Sequence, residues 1–408
     1  MIKPALFMAA IRPAAAGSVV ADALLAFLAA AALCSGSSSA TGDEAELIVS
    51  TGSMGIITRG RVLVPAMYVF GDSLVDAGNN DFLPAPAPRA FPPNGVDLPR
   101  SILWRTGRRR FTNGYNLADI IAAQHVGFSE SPPAYLSLTP LSSRQLDLLR
   151  GRVGSNYASA GSGILDATGN GTITLREQVE LFAKTKATIL RAGLVGRESL
   201  DGLLSRSLFV ISAGGNDFPA FVHSGLPMSR APEFMAGLVA DYLRYINALY
   251  KLGARRLVLL GIAPVGCLPR QRATTADGEC DDDQNYLSEL FNSLLRAEMA
   301  KVVAASMPAM RYSIANLYNV FSDIIDNPSL AGLREVKTGC CGSGKFNGEV
   351  DCSVDTNLCV DRDEYVFWNM VHGTQAAYRW AFLAFFYGTT REAEPINLHQ
   401  LLQEQYSM

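Results

Sequence analysis

Short apolar runs punctuate the chain. They are Met67-Tyr68-Val69-Phe70, Val153 to Ala158, Leu208-Phe209-Val210-Ile211, Leu257-Val258-Leu259-Leu260 and Tyr312-Ser313-Ile314-Ala315. Each ends in small or polar residues, and their length and composition predict buried strands. Between them lie longer stretches with helical spacing: Asn116 to His125, Leu175 to Leu194, Phe234 to Leu252 and Gln284 to Ser306, with Thr374 to Phe386 near the end. Strands alternating with helices predict an α/β fold with a mostly parallel sheet covered on both faces. Ligand sites in such sheets lie at the carboxyl ends of strands. The residues just after each run are therefore the first site candidates. No repeat or low-complexity linker interrupts the chain after Pro65, so 65–408 reads as a single domain, preceded by a leader or linker over 41–64.

Composition narrows the class. The 408 residues are 49% hydrophobic and 18% charged, with a net charge of -3. That is enough apolar material for a large core, and the slightly acidic balance argues against a general nucleic-acid binder. Arg108-Arg109-Arg110 reads as a solvated surface patch. At the N-terminus, Lys3 and Arg12 precede the apolar run Ala23 to Leu33, and small residues follow from Ser35 to Ala40. This is the pattern of a secretory signal peptide over 1–40, too short for an ordinary membrane span. No other segment reads as membrane-spanning. The expected location is the secretory pathway and the cell exterior, with the vacuole or another organelle as the alternative. Asn170-Gly171-Thr172 is a glycosylation sequon in that setting. Besides Cys34, six cysteines crowd the C-terminal part: Cys267, Cys280, Cys340, Cys341, Cys352 and Cys359. None has C-x-x-C spacing and the four histidines are scattered, so the set reads as disulfides and not as a metal site.

Four blocks carry chemistry. Gly71-Asp72-Ser73-Leu74-Val75-Asp76-Ala77-Gly78-Asn79-Asn80 follows the first strand. Ala158-Ser159-Ala160-Gly161-Ser162-Gly163-Ile164 follows the second, and Ser212-Ala213-Gly214-Gly215-Asn216-Asp217 the third. Tyr365-Val366-Phe367-Trp368-Asn369-Met370-Val371-His372 lies near the C-terminus. Singly, each is a turn, a loop or a structural histidine. In this order they supply the parts of an acyl-transfer site. Ser73 is a nucleophile once a base takes its proton, and His372 can be that base. Donors for an oxyanion come from the Ser73 N–H, a glycine N–H near 161–163 and the Asn216 amide.

On these blocks the chain resembles the plant-type GDSL esterase/lipases of the SGNH hydrolase superfamily. The resemblance runs from about Tyr68 to the C-terminus. It includes Gly107-Arg108-Arg109-Arg110-Phe111-Thr112-Asn113-Gly114, Pro264-Val265-Gly266-Cys267-Leu268-Pro269 and Cys340-Cys341-Gly342. It implies a three-layer α/β/α, flavodoxin-like SGNH hydrolase fold. It also implies Ser73 as nucleophile, His372 as base, and Ser73, Gly163 and Asn216 as oxyanion donors, with Gly161 the second choice to Gly163. The strand-to-helix G-x-S-x-G elbow is absent around Ser73, in keeping with this separate type. No metal or organic cofactor is implied, and the partner is a small-molecule or lipid ester.

One departure stands out. Relatives usually carry Asp three residues before the histidine and proline after it. Here the segment reads Trp368-Asn369-Met370-Val371-His372-Gly373. An aspartate accepts the Nδ1 proton and stabilises the imidazolium. Asn369 is neutral. With its oxygen toward His372 it keeps the useful tautomer, and with its nitrogen there it favours the wrong one. Three functions are therefore carried: an esterase working through Ser73 and His372, an acyltransferase of the same chemistry, and a catalytically impaired binding protein with the same fold. Asp361 and Asp363 read as solvated charge, though either can help the histidine electrostatically. Asp72 reads as a turn residue, and Asn79 and Asn80 as loop-holding side chains. Gly339-Cys340-Cys341-Gly342-Ser343-Gly344-Lys345 nearly spells a P-loop, but Phe346 replaces the Ser or Thr and no apolar strand leads in. A short loop joins Cys267 and Cys280, which reads as one bridge. Pairing among the other four is open, with Cys340–Cys352 and Cys341–Cys359 preferred because adjacent cysteines rarely bond. Tyr365, Phe367 and Trp368 read as core, and Phe82, Leu83 and Phe218 as candidates for an acyl pocket.

Overall fold

A computed structural model describes residues 64–100, 110–128 and 130–403. The expected leader over 1–40 and linker over 41–64 fall outside these residues apart from Val64, which is buried. Cys34, Arg108 and Arg109 also lie outside them.

All five apolar runs carry strands: β1 (Met67–Gly71), β2 (Ser155–Asn156), β3 (Leu208–Ser212), β4 (Arg256–Leu260) and β5 (Arg311–Ala315). Three further short strands had no such run to announce them: β6 (Cys341–Gly342), β7 (Asn357–Leu358) and β8 (Ala393–Pro395). The central sheet has the order β2-β1-β3-β4-β5-β8, parallel throughout except for β8. Apart from that added edge, this is the flavodoxin-like order, whose switch point lies between β1 and β3. Pro395 is tolerated in β8 because an edge strand has one side without ladder partners.

Alternate strand residues point to opposite faces. Tyr68, Phe70, Phe209, Ile211, Leu257 and Leu259 enter one core. Val69, Val210, Val258 and Leu260 enter the other. Over the first face pack α2 (Leu175–Ala192), α3 (Arg197–Arg206), α4 (Ala231–Leu252) and α5 (Asp282–Ser306). Over the second pack α1 (Leu117–Ile121), α6 (Leu317–Asp326) and α7 (Gln375–Tyr387). The predicted helix over 116–125 begins at an Asn116 capping box and passes into a π-helical turn, Ala122–Val126, that ends at Gly127. No described helix is long and apolar enough to cross a membrane.

Two expectations are corrected. Arg110 is not part of a solvated patch: its Nε and Nη2 donate to both oxygens of Asp119, at 2.7 and 2.9 Å, and both side chains are buried. A charge run in sequence says nothing of a carboxylate nine residues away that must also cap α1. The disulfides are Cys267–Cys280, as expected, but then Cys340–Cys359 and Cys341–Cys352. Cys341 pairs with Leu358 across β6 and β7, and Cys359 donates its N–H to the Cys340 carbonyl at 2.8 Å. That register seats Cys340 beside Cys359. The next residue points to the opposite face, where Cys341 meets Cys352.

Candidate active site

The site is built where the sheet order reverses. At the end of β1, Gly71 has φ +126, and a Cβ there would lie 1.9 Å from the Ser212 carbonyl oxygen of β3. Only glycine lets the two strands approach so closely. Gln178 of α2 clamps this residue: Gly71 N–H donates to its Oε1 at 2.7 Å, and its Nε2 donates to Gly71 O at 3.0 Å. The chain then turns, with Asp72 Oδ1 accepting from Leu74 N–H at 3.0 Å and the Ser212 hydroxyl at 3.3 Å. Burial pushes the Asp72 carboxyl up to about 7, against those donors. Ser73 is thereby left partly exposed at the mouth of the sheet.

The loop after Ser73 is held by its polar side chains. Asp76 accepts the N–H groups of Gly78, Asn79 and Ala160. Asn79 donates to the carbonyls of Asn156 and Ala158, and Asn80 to those of Pro88 and Ala160. These bonds tie the first block to the second.

Asn216, just beyond β3, donates through Nδ2 to Ser162 O at 3.0 Å. Its neighbour Asp217 accepts the N–H groups of Ile164 and Leu165 and the Thr168 hydroxyl. A Cβ on Gly163 would lie 2.4 Å from Asp217 Oδ1, so the third block fits only a glycine there. The N–H groups of Ser73 and Gly163 make no hydrogen bond among the described residues. Asn170, the sequon residue, is exposed on the same loop.

The fourth block brings the imidazole. His372 Nε2 lies 2.8 Å from Ser73 Oγ, and Nδ1 lies 3.0 Å from Asn369 Oδ1. The orientation of Asn369 follows from its other partners. Val371 N–H and His372 N–H both donate to Oδ1, at 3.1 and 2.9 Å. Only an oxygen can accept them, and Nδ2 donates to Asp351 Oδ1 at 3.2 Å. Nδ1 of His372 therefore carries the proton and Nε2 is the free acceptor facing Ser73. Of the two tautomers the sequence leaves open, the useful one is selected. Burial pushes the His372 imidazolium down to about 3, with the Arg270 charge adding in the same direction. Gly373, in place of a proline, donates its N–H to the Tyr378 hydroxyl at 2.9 Å, a bond that proline cannot make.

Ser73, Asn216 and His372 line one cleft of about 390 Å³, with Phe218, Ile262 and Phe321 among its apolar walls. Of the three candidates for an acyl pocket, Phe218 lines this cleft, while Phe82 and Leu83 do not, and Phe82 is half exposed at the end of a short 3-10 turn. Gly161 and Gly163 are not among the lining residues either. Trp368 is buried, donating Nε1–H to Asn94 at 2.7 Å, and Tyr365 packs on the disulfides. Phe367 belongs both to the core and to the cleft wall. Asp361 and Asp363 are exposed, and it is Asp351 that touches Asn369. Sequence reasoning missed Asp351, since an Asp in a loop 18 residues upstream carries no signal of its own.

A hydroxyl, an imidazole with its free nitrogen turned to it, and an amide that orients the ring can together carry out acyl transfer. Comparison with known proteins agrees. The family model described as GDSL-like lipase/acylhydrolase matches residues 67–385. Arabidopsis thaliana GDSL esterase/lipase At1g71250 is 35% identical over 356 residues, covering 85% of this chain and 91% of the relative. GDSL esterase/lipase At4g28780 of the same plant is 34% identical over 349 residues, covering 83% and 90%. Similarity of this extent places the chain in the GDSL lipase/acylhydrolase family, as a carboxylic ester hydrolase of the SGNH type.

Proposed function

We propose that the protein is a secreted serine esterase/lipase that works through an acyl-enzyme on Ser73. His372 Nε2 takes the Ser73 proton as Oγ attacks the ester carbonyl, and later gives it to the leaving alcohol. Asn369 Oδ1 holds the Nδ1 proton and so fixes the ring. The oxyanion is received by Ser73 N–H, Gly163 N–H and the second hydrogen of Asn216 Nδ2. Water then repeats the attack with the same base. The single observation that carries the reading is the 2.8 Å contact between Ser73 Oγ and His372 Nε2, with the Asn369 bond to the other ring nitrogen. The apolar walls around Phe218 and Ile262 favour an ester with an apolar acyl portion. The disulfide set favours an oxidising compartment.

Hydrolysis of a short p-nitrophenyl ester by purified protein tests this. In a serine protease, losing serine or histidine costs about 2 × 10⁶ in turnover and losing the aspartate about 3 × 10⁴. A Ser–His pair without its aspartate thus retains roughly 10² over its blank. Ser73→Ala and His372→Ala are each expected to lower kcat by about that factor. Native turnover equal to that of folded Ser73→Ala would overturn the reading in favour of a binding protein. Transfer to an added alcohol in preference to water would favour the acyltransferase.

The acid side of the rate profile gives a second check. The base works when neutral, so kcat/KM falls as pH drops through the His372 value, about 3. Rates are expected to hold down to about pH 5, well below the ordinary histidine range near 6.5. Asp72 titrates at about 7 beside the nucleophile, so the profile is also measured in Asp72→Asn. An acid limb between pH 6 and 7 that survives this change would count against a buried neutral His372.

A further inference from the structure

We propose that Asp351 is a positioning residue for the reaction, supplying at one remove the negative charge that position 369 lacks. The inference rests on the esterase reading above.

Asp351 is an exposed residue whose carboxylate is held by two donors. Asp351 Oδ1 accepts from Asn369 Nδ2 at 3.2 Å and from Cys352 N–H at 2.8 Å. Cys352 is bonded to Cys341, and Cys341 N–H donates to Trp368 O at 2.7 Å, one residue before Asn369. Cys340 N–H likewise donates to Phe367 O at 2.9 Å. The disulfide-bearing segment and the histidine segment are therefore laced together, and Asp351 is held at the outer end of the Asn369 amide. Ser73, His372, Asn369 and Asp351 form one hydrogen-bonded line, with contacts of 2.8, 3.0 and 3.2 Å.

An anion accepting from the amide nitrogen draws positive charge to that end and makes the amide oxygen a stronger acceptor. Bonds in such a chain polarise one another, and a charged acceptor makes a bond about twice as strong as a neutral one. Asn369 Oδ1 then holds the Nδ1 proton more firmly as His372 gains charge in the transition state. The direct field on His372 comes from Arg270, whose sign opposes that charge. Asp351 acts through the amide that it polarises.

Asp351→Asn is the test because it keeps the shape and an acceptor oxygen and removes only the charge. We expect kcat to fall about fivefold, with KM unchanged, as one charge-assisted bond becomes neutral. The same change in an Asn369→Asp background is expected to act in the opposite direction. There the two carboxylates would face each other across the 3.2 Å contact, and removing one relieves the repulsion. Asp351→Asn is expected to raise kcat about tenfold in that background. A loop residue with a merely structural role would lower kcat in both. A change under about twofold in the native background, or a fall in both, overturns the proposal.

A readout without turnover separates this proposal from the esterase reading. The buried Nδ1 proton of His372 gives a low-field NMR line, expected to move upfield in Asp351→Asn as the amide oxygen weakens. If no variant hydrolyses ester above Ser73→Ala, the esterase reading falls, and this line alone decides the role of Asp351. An unmoved line overturns it.

Discussion

Asn369→Asp raises kcat by about 10²–10³, with KM little changed: that is the largest gain expected of any single substitution in this protein. The reasoning starts from what the amide already does. In a serine protease the aspartate-to-asparagine change costs about 10⁴, because the amide there leaves the wrong tautomer. Here the Val371 and His372 N–H groups force Oδ1 toward the imidazole, so the tautomer is already right. What is missing is charge for the imidazolium, which limits the gain to less than that full factor. A carboxylate at 369 would keep the three bonds that Oδ1 makes now, from Val371 N–H, His372 N–H and Nδ1. It would also favour the charged ring, so the acid limb of kcat/KM should move upward from the native position. The gain is moderated by Asp351, whose carboxylate would face the second oxygen, the one that replaces Nδ2. A stopped-flow comparison of the acylation step in native and Asn369→Asp protein decides the matter. Equal rates would mean that histidine charge does not limit this enzyme and that another step does.

The second large effect is on stability. Arg110→Met should destabilise the protein by about 3–5 kcal/mol, read as a lower urea midpoint with an unchanged slope. Asp119 is fully buried, and Arg110 meets it with two parallel bonds while also donating to Ala77 O at 3.2 Å. Removing the guanidinium strands a carboxylate in the core, with only the N–H groups of Asn116 and Ser131 left to it among the described residues. Breaking such a pair costs far more than forming it contributes. Arg110→Met combined with Asp119→Leu should therefore recover part of the loss. A loss below about 1 kcal/mol would be that of a surface pair, and would restore the solvated reading of the basic run. The Ala77 contact links this pair to the loop after Ser73, so some loss of turnover is expected below the unfolding transition.

Sequence and structure divide the information in a physically sensible way. β1, β3 and β4 were legible because a strand buried on both faces is almost wholly apolar, and each such run is short and bounded by small or polar residues, whereas β2 is the polar pair Ser155–Asn156 inside a longer run. The long helices followed from their own spacing. The two-residue strands β6 and β7 carried no periodicity, and β8 depended on a partner far away in the chain.

What the sequence determined by itself is the chemistry on offer: three blocks after successive strands and a fourth near the C-terminus, the serine, the histidine, the amide where an acid is usual, and the family they mark. Those are properties of residue type, order and short spacing. The tertiary structure alone decided which way Asn369 faces, that Arg110 is buried, which cysteines meet, and that Asp351 stands behind the amide. Each of these depends on a hydrogen bond, ion pair or bridge whose partner is set by how strands and loops pack. Such partners leave no trace in local pattern, because the free energy that selects them exists only once the chain has folded.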